Sequence, residues 1–72
     1  MNRYIAFCHI IETGSFSRTA EEMGYSQSAV SQMIRSLENE MGLKLLIRSR
    51  GHVELTHEGR ELMPLILSLI HI

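Results

Sequence analysis

The stretch GYSQSAVSQMIRSLENEMG, Gly24 to Gly42, is punctuated as a single helix. Ser26 stands where a capping side chain belongs, an apolar stripe follows, and Gly42 supplies the left-handed stop. At about 100° per residue from Gln27, the residues Val30, Met33, Ile34, Leu37 and Met41 fall within one sector of about 100°, a face for a core. The opposite sector holds Gln27, Ser28, Ser31, Gln32, Arg35 and Asn39. From Gln27 to Arg35 there is no carboxylate, although the chain as a whole has a net charge of -1. Amides, hydroxyls and one guanidinium donate and accept hydrogen bonds without repelling phosphate, which is what a base edge in a major groove requires. Glu38 shares that side but lies almost three turns along, towards the end that would leave the groove.

The residues just before this helix extend the pattern. In SFSRTAEEMG, Ser17 is expected to cap a short helix, with Ala20 and Met23 on one face and Gly24 ending it. Two helices cross closely only where small residues meet and the turn between them accepts a positive φ. Ala20 and Gly24 satisfy both needs, and with Val30 they have the spacing of a helix-turn-helix.

Further upstream, Asn2 is expected to cap a first helix that runs to about Thr13, with Gly14 as its stop. Downstream, LKLLIR and HVELT read as short strands joined by SRG, a two-stranded hairpin. Thr56 is placed to cap a last helix, in which Pro64 removes one backbone donor and kinks the axis unless tertiary packing compensates. The expected order is therefore helix, helix, helix, hairpin, helix: a mainly α chain.

Bulk composition bounds what this arrangement can be. Seventy-two residues form one small domain, and with no tryptophan and only two tyrosines and two phenylalanines the core must be aliphatic. The near-neutral total argues against a general polyanion binder, but Lys44, Arg48, Arg50 and His52 share a window that contains none of the eight acids. Cys8 is the only cysteine, which excludes an intrachain disulfide, and no leader pattern is visible, so a reducing cytoplasm is expected. The histidines show no metal-ligand spacing, and no nucleophile, base and orienting acid stand together. Neither a cofactor, a metal nor an enzymatic activity is expected. The tail from Leu62 to Ile72 is too short for a membrane span, and its apolar residues cover almost the whole helix circumference. One side is expected to pack on the first helix and the other on a second copy of the chain.

On these residues a resemblance becomes specific. The motifs GSF, AE, QSAVS, I..LE and V.LT..G occur here in the order and spacing of the N-terminal DNA-binding region of LysR-type bacterial transcriptional regulators. The likeness runs from Phe7 to about Gly59. It implies a winged helix-turn-helix over residues 1–58, in which the third helix enters the major groove and the hairpin is the wing. It also implies that residues 59–72 begin a linker helix that dimerises, and that a C-terminal domain binding a small-molecule effector lies beyond this chain. The implied function is sequence-specific binding of double-stranded DNA, as a homodimer on an inverted repeat. Ser26, Gln27, Ser28, Ser31 and Gln32 occupy the groove-facing segment, Arg18 and Arg35 are candidate phosphate contacts, Arg48 matches the arginine at the end of the first wing strand, and Arg50 lies in the wing tip. Gln32 departs from a common arginine, Leu46 from a common phenylalanine, and His52 takes a usual arginine site. The alternative is a winged helix whose polar face binds another protein.

Overall fold

The computed structural model describes residues 3–49 and 52–70, without the side chains of 69 and 70. Its elements are α1 (Arg3–Thr13), α2 (Phe16–Met23), α3 (Gln27–Met41), β1 (Leu46–Ser49), β2 (His52–Leu55) and α4 (His57–Ile70). The expected order of helices and hairpin is the one observed. Asn2, offered as the cap of the first helix, lies outside the described residues.

The start of α2 differs from expectation. Ser15, not Ser17, is the cap: its hydroxyl accepts the Arg18 N–H at 3.0 Å and its own backbone is extended. The Thr13 hydroxyl accepts the Ser15 N–H and meets the Thr19 hydroxyl at 3.0 Å, so the turn closes two residues earlier. The reason is burial, because the earlier start carries Phe16 into the core while Ser17 stays exposed. At the other end, Gly24 adopts φ 74°, with Gly24 N–H bonded to Glu21 O and Tyr25 N–H to Ala20 O. These two bonds satisfy carbonyls that the helix end would otherwise leave open and turn the chain into α3.

In α3 the predicted stripe is the buried one: Val30, Met33, Ile34 and Leu37 are core residues and Met41 is partly buried. Ser26 caps it as expected, accepting the Ala29 N–H at 3.1 Å. Phe7 and Ile10 of α1, Phe16 and Ala20 of α2, Leu45 and Leu46 at the base of the wing, and Ile66 of α4 complete one continuous core. Arg3 pins α1 to the far end of α3, donating to Ser36 Oγ at 2.8 Å and to Glu40 Oε1 at 2.7 Å.

The hairpin is antiparallel with Leu46 opposite Leu55 and Arg48 opposite Val53. Facing pairs share a side, so one face of the wing carries Leu46, Leu55, Arg48 and Val53 and points at the body, while Ile47 and Glu54 point away. The first strand starts at Leu46, not at Leu43 where the leucine-rich run suggested. Leu45 is fully buried, and both of its backbone groups are taken from outside the sheet: its N–H goes to Glu38 Oε2 and its C=O accepts from Thr56 N–H.

Glu38 and Thr56 clamp the base of the wing. One carboxylate oxygen of Glu38 accepts the N–H groups of Leu45 at 2.8 Å and Leu46 at 3.2 Å. The Thr56 hydroxyl donates to Lys44 O at 2.6 Å and accepts the Gly59 N–H at 3.0 Å, so one side chain ties the wing and caps α4 together. Gly59 is needed for this closeness, since a Cβ there would stand 2.5 Å from Leu45 O. The helix α4 is continuous through Pro64, whose side chain is exposed, and its buried anchor against the rest of the core is Ile66.

Candidate nucleic-acid interface

The first half of α3 presents its polar sector to solvent. Gln27, Ser28, Gln32 and Arg35 are exposed, and no acid occurs in the first turn. Ser26 spends one acceptor on the cap and stays at the surface. Arg18 is exposed on the first turn of α2. Arg50 lies outside the described residues.

Two concavities flank this helix. The larger, about 460 Å³, runs between α3 and the wing and is lined by Ser31, Arg35, Glu38, Lys44 and Arg48 among others. A smaller one of about 290 Å³ lies between the starts of α2 and α3 and the wing end, bounded by Ser15, Ser17, Gln27, Ser49 and His52. Phe16 and Arg48 line both and form the ridge between them.

Arg48 therefore turns inward from the hairpin. Its guanidinium lies over the Phe16 ring at 3.8 Å from the centroid, and its Nη2 donates to Ser31 Oγ at 3.1 Å. This follows from strand alternation: Arg48 is two residues from the buried Leu46, on the same face. Among the described residues that line the larger groove the only acid is Glu38, and one of its oxygens is occupied by the wing backbone. Arg35, Lys44 and Arg48 leave that groove with an excess of positive charge.

Sequence reasoning placed Lys44 in a basic window without assigning it a role; the structure sets it in the groove beside Arg35 and Arg48. It missed Phe16 as the platform for Arg48, although an aromatic two residues before a helix-borne Arg18 and a strand-borne arginine carry no local signal that they meet. It also treated Glu38 only as a residue clear of the groove. His52 is exposed and faces Glu54 at 3.4 Å on the outer side of the hairpin. Cys8 is half-buried, and burial, followed by the nearby Glu12 charge, pushes its thiol pKa up. Among the described residues no group of three potential ligands gathers for a metal, and no helix is long and apolar enough to cross a membrane.

Three helices, a tight left-handed turn between the second and third, and a two-stranded hairpin packed beside the third define a winged helix-turn-helix protein. The pattern described as bacterial regulatory helix-turn-helix protein, lysR family, matches residues 1–60, and the chain belongs to that family. The HTH-type transcriptional regulator CrgA of Neisseria meningitidis serogroup C is 42% identical over 55 residues, 76% of this chain but 18% of that regulator. The chain thus spans less than a fifth of such a relative. Among solved structures, the DNA-binding domain of CbnR in complex with DNA superposes with a TM-score of 0.89 at 25% identity, covering 99% of this chain and 84% of that one. The domain of BenM with catB site 1 DNA gives a TM-score of 0.85 at 29% identity, covering 99% and 81%.

Proposed function

We propose that this chain is the sequence-specific DNA-binding region of a bacterial transcriptional regulator. The observation that carries the reading is the acid-free, exposed polar sector in the first half of α3, beside a groove lined by Arg35, Lys44 and Arg48. Gln27, Ser28, Ser31 and Gln32 read base edges; Arg18, Ser26, Arg35, Arg48 and Arg50 hold the backbone. The DNA complexes of CbnR and BenM support it, because each contains a domain of this fold.

Residues 59–72 act as the start of a dimerising linker. Leu65 and Leu67 of α4 are exposed at 57% and 40%, large apolar groups on the two flanks of the helix, each about 100° around from the buried Ile66. Two copies related by a two-fold axis put their recognition helices in successive major grooves of an inverted repeat, about one helical turn apart. A small-molecule effector acts through a separate domain of the full-length regulator. A DNA ligand places the protein in the bacterial cytoplasm, and its role is regulatory, not enzymatic.

Titration of a labelled duplex bearing a selected site, at several salt concentrations, tests this. Affinity should fall steeply with salt and exceed that for a scrambled duplex. Indifference to salt and sequence would overturn the reading and favour a protein-binding winged helix, whose partner binding would then depend on the same face of α3.

A further inference from the structure

We propose that Arg48 fixes Ser31 as a hydrogen-bond donor towards the groove, so that Ser31 excludes cytosine at the base it faces. The inference rests on the DNA-binding reading above and assigns Arg48 a positioning role in specificity, beyond any contact with phosphate.

The argument starts from what each group is able to do. A guanidinium has only donors, so at 3.1 Å from Arg48 Nη2 the Ser31 oxygen must be the acceptor. One of its two lone pairs is thereby occupied. The same cation, beside the oxygen, opposes the approach of a second N–H donor and polarises the hydroxyl O–H outward. What remains is a donor. In the major groove the bases that accept are purines through N7, guanine also through O6, and thymine through O4; cytosine offers only its N4 donor.

The geometry makes this polarity durable. Arg48 is exposed but tethered: its Cζ lies over the ring of Phe16 at 3.8 Å from the centroid, and Phe16 is itself anchored in the core. A stacked, planar guanidinium loses little further freedom in holding its hydrogen bond, which a lysine ammonium would not reproduce. Ser31 sits half-buried beneath it, whereas Gln27, Ser28 and Gln32 are exposed and keep both donor and acceptor capacity. Among the polar residues of the first half of α3, Ser31 is thus the one whose hydrogen-bonding direction the fold sets.

Selection of bound sequences from a random duplex pool, run with the 72-residue chain and its Arg48→Met, Ser31→Ala and doubly substituted variants, tests the proposal. Methionine keeps a long apolar contact with Phe16 and removes donors and charge; circular dichroism and a thermal melt check that each variant folds. For the unsubstituted chain, cytosine should be depleted about five- to tenfold at one column of each half-site, the effect of a single hydrogen bond. Arg48→Met should relax that depletion to below about twofold with the other columns kept. Ser31→Ala should flatten the same column, and the double variant should match Ser31→Ala. Should Arg48→Met fail to fold, Phe16→Leu, which leaves Arg48 without its platform, is expected to relax the same column.

A uniform loss of affinity in Arg48→Met, with a salt dependence shallower by about one unit and every column unchanged, would show a phosphate contact only and overturn the proposal. So would a column insensitive to Ser31→Ala, as expected if the hydroxyl bonds back to the Gln27 carbonyl one turn earlier. If the unsubstituted chain selected no sequence at all, the DNA-binding reading itself would fall, an outcome distinct from either.

Discussion

Removing the Glu38 carboxylate should loosen the wing before it affects the helices. That oxygen accepts two backbone N–H groups, from Leu45 at 2.8 Å and Leu46 at 3.2 Å, on a half-buried side chain. Hydrogen bonds to a charged acceptor contribute about 1.5–3 kcal/mol each when buried. Water reaches a half-buried site and replaces part of that, so about 1 kcal/mol per bond is appropriate, or about 2 kcal/mol for Glu38→Ala. For a domain of this size, that lowers the melting temperature by about 8–16 °C. Glu38→Gln keeps an acceptor oxygen and should lose less than half as much. The assay is thermal and urea unfolding at fixed protein concentration, together with amide hydrogen exchange. The Leu45 and Leu46 amides should exchange faster in Glu38→Ala while those of α1 change only by the global loss. A melting temperature within about 2 °C of the original, or faster exchange spread evenly over the chain, would refute the clamp.

Gly59→Ala should destabilise by about 1–2 kcal/mol net in urea unfolding, because a Cβ 2.5 Å from Leu45 O puts overpacking at the upper part of about 1–3 kcal/mol and alanine's helix preference offsets about 1 kcal/mol of it. Leu65→Glu should weaken self-association in sedimentation across concentration without altering the fold of the monomer, because Leu65 is more exposed than Leu67, the other exposed leucine of α4. Alkylation of Cys8 by iodoacetamide should be slower than that of a free thiol at pH 8, and should rise with pH only at higher values, since a raised pKa leaves less thiolate at any given pH; in urea the difference should vanish.

The fold was legible in the sequence because its signals are local. Periodicity in α3, the glycines at 14, 24 and 42, and the caps Ser26 and Thr56 each act within a turn or two of chain, and all three glycines have φ near 70°. The misplaced start of α2 shows the limit: Ser15 and Ser17 are equal as caps, and the choice is made by burial of Phe16, a tertiary effect. The first strand is shorter than its leucine-rich run suggests for the same reason, since Leu43–Leu45 look like strand but are claimed by Glu38, Thr56 and the core.

The candidate interface divides likewise. Exposure of Gln27, Ser28, Gln32 and Arg35 follows from helix phase alone. The inward turn of Arg48 onto Phe16 and Ser31 joins residues 32 and 17 positions apart. No periodicity reports such a meeting; the hairpin register creates it by placing Arg48 on the face that already holds Leu46.

The central claim is that the first half of α3 reads bases, and Gln32 offers the most direct test. Gln32 is exposed and unburdened by any core role, so its replacement leaves the fold intact. Selected sequences for Gln32→Arg should change at one column in each half-site, towards guanine, which arginine recognises through O6 and N7, by a factor corresponding to about 1–3 kcal/mol. All other columns should keep their preferences. Identical selected sequences for the two proteins, or a gain in affinity spread over every sequence alike, would contradict the assignment of α3 as the base-reading element.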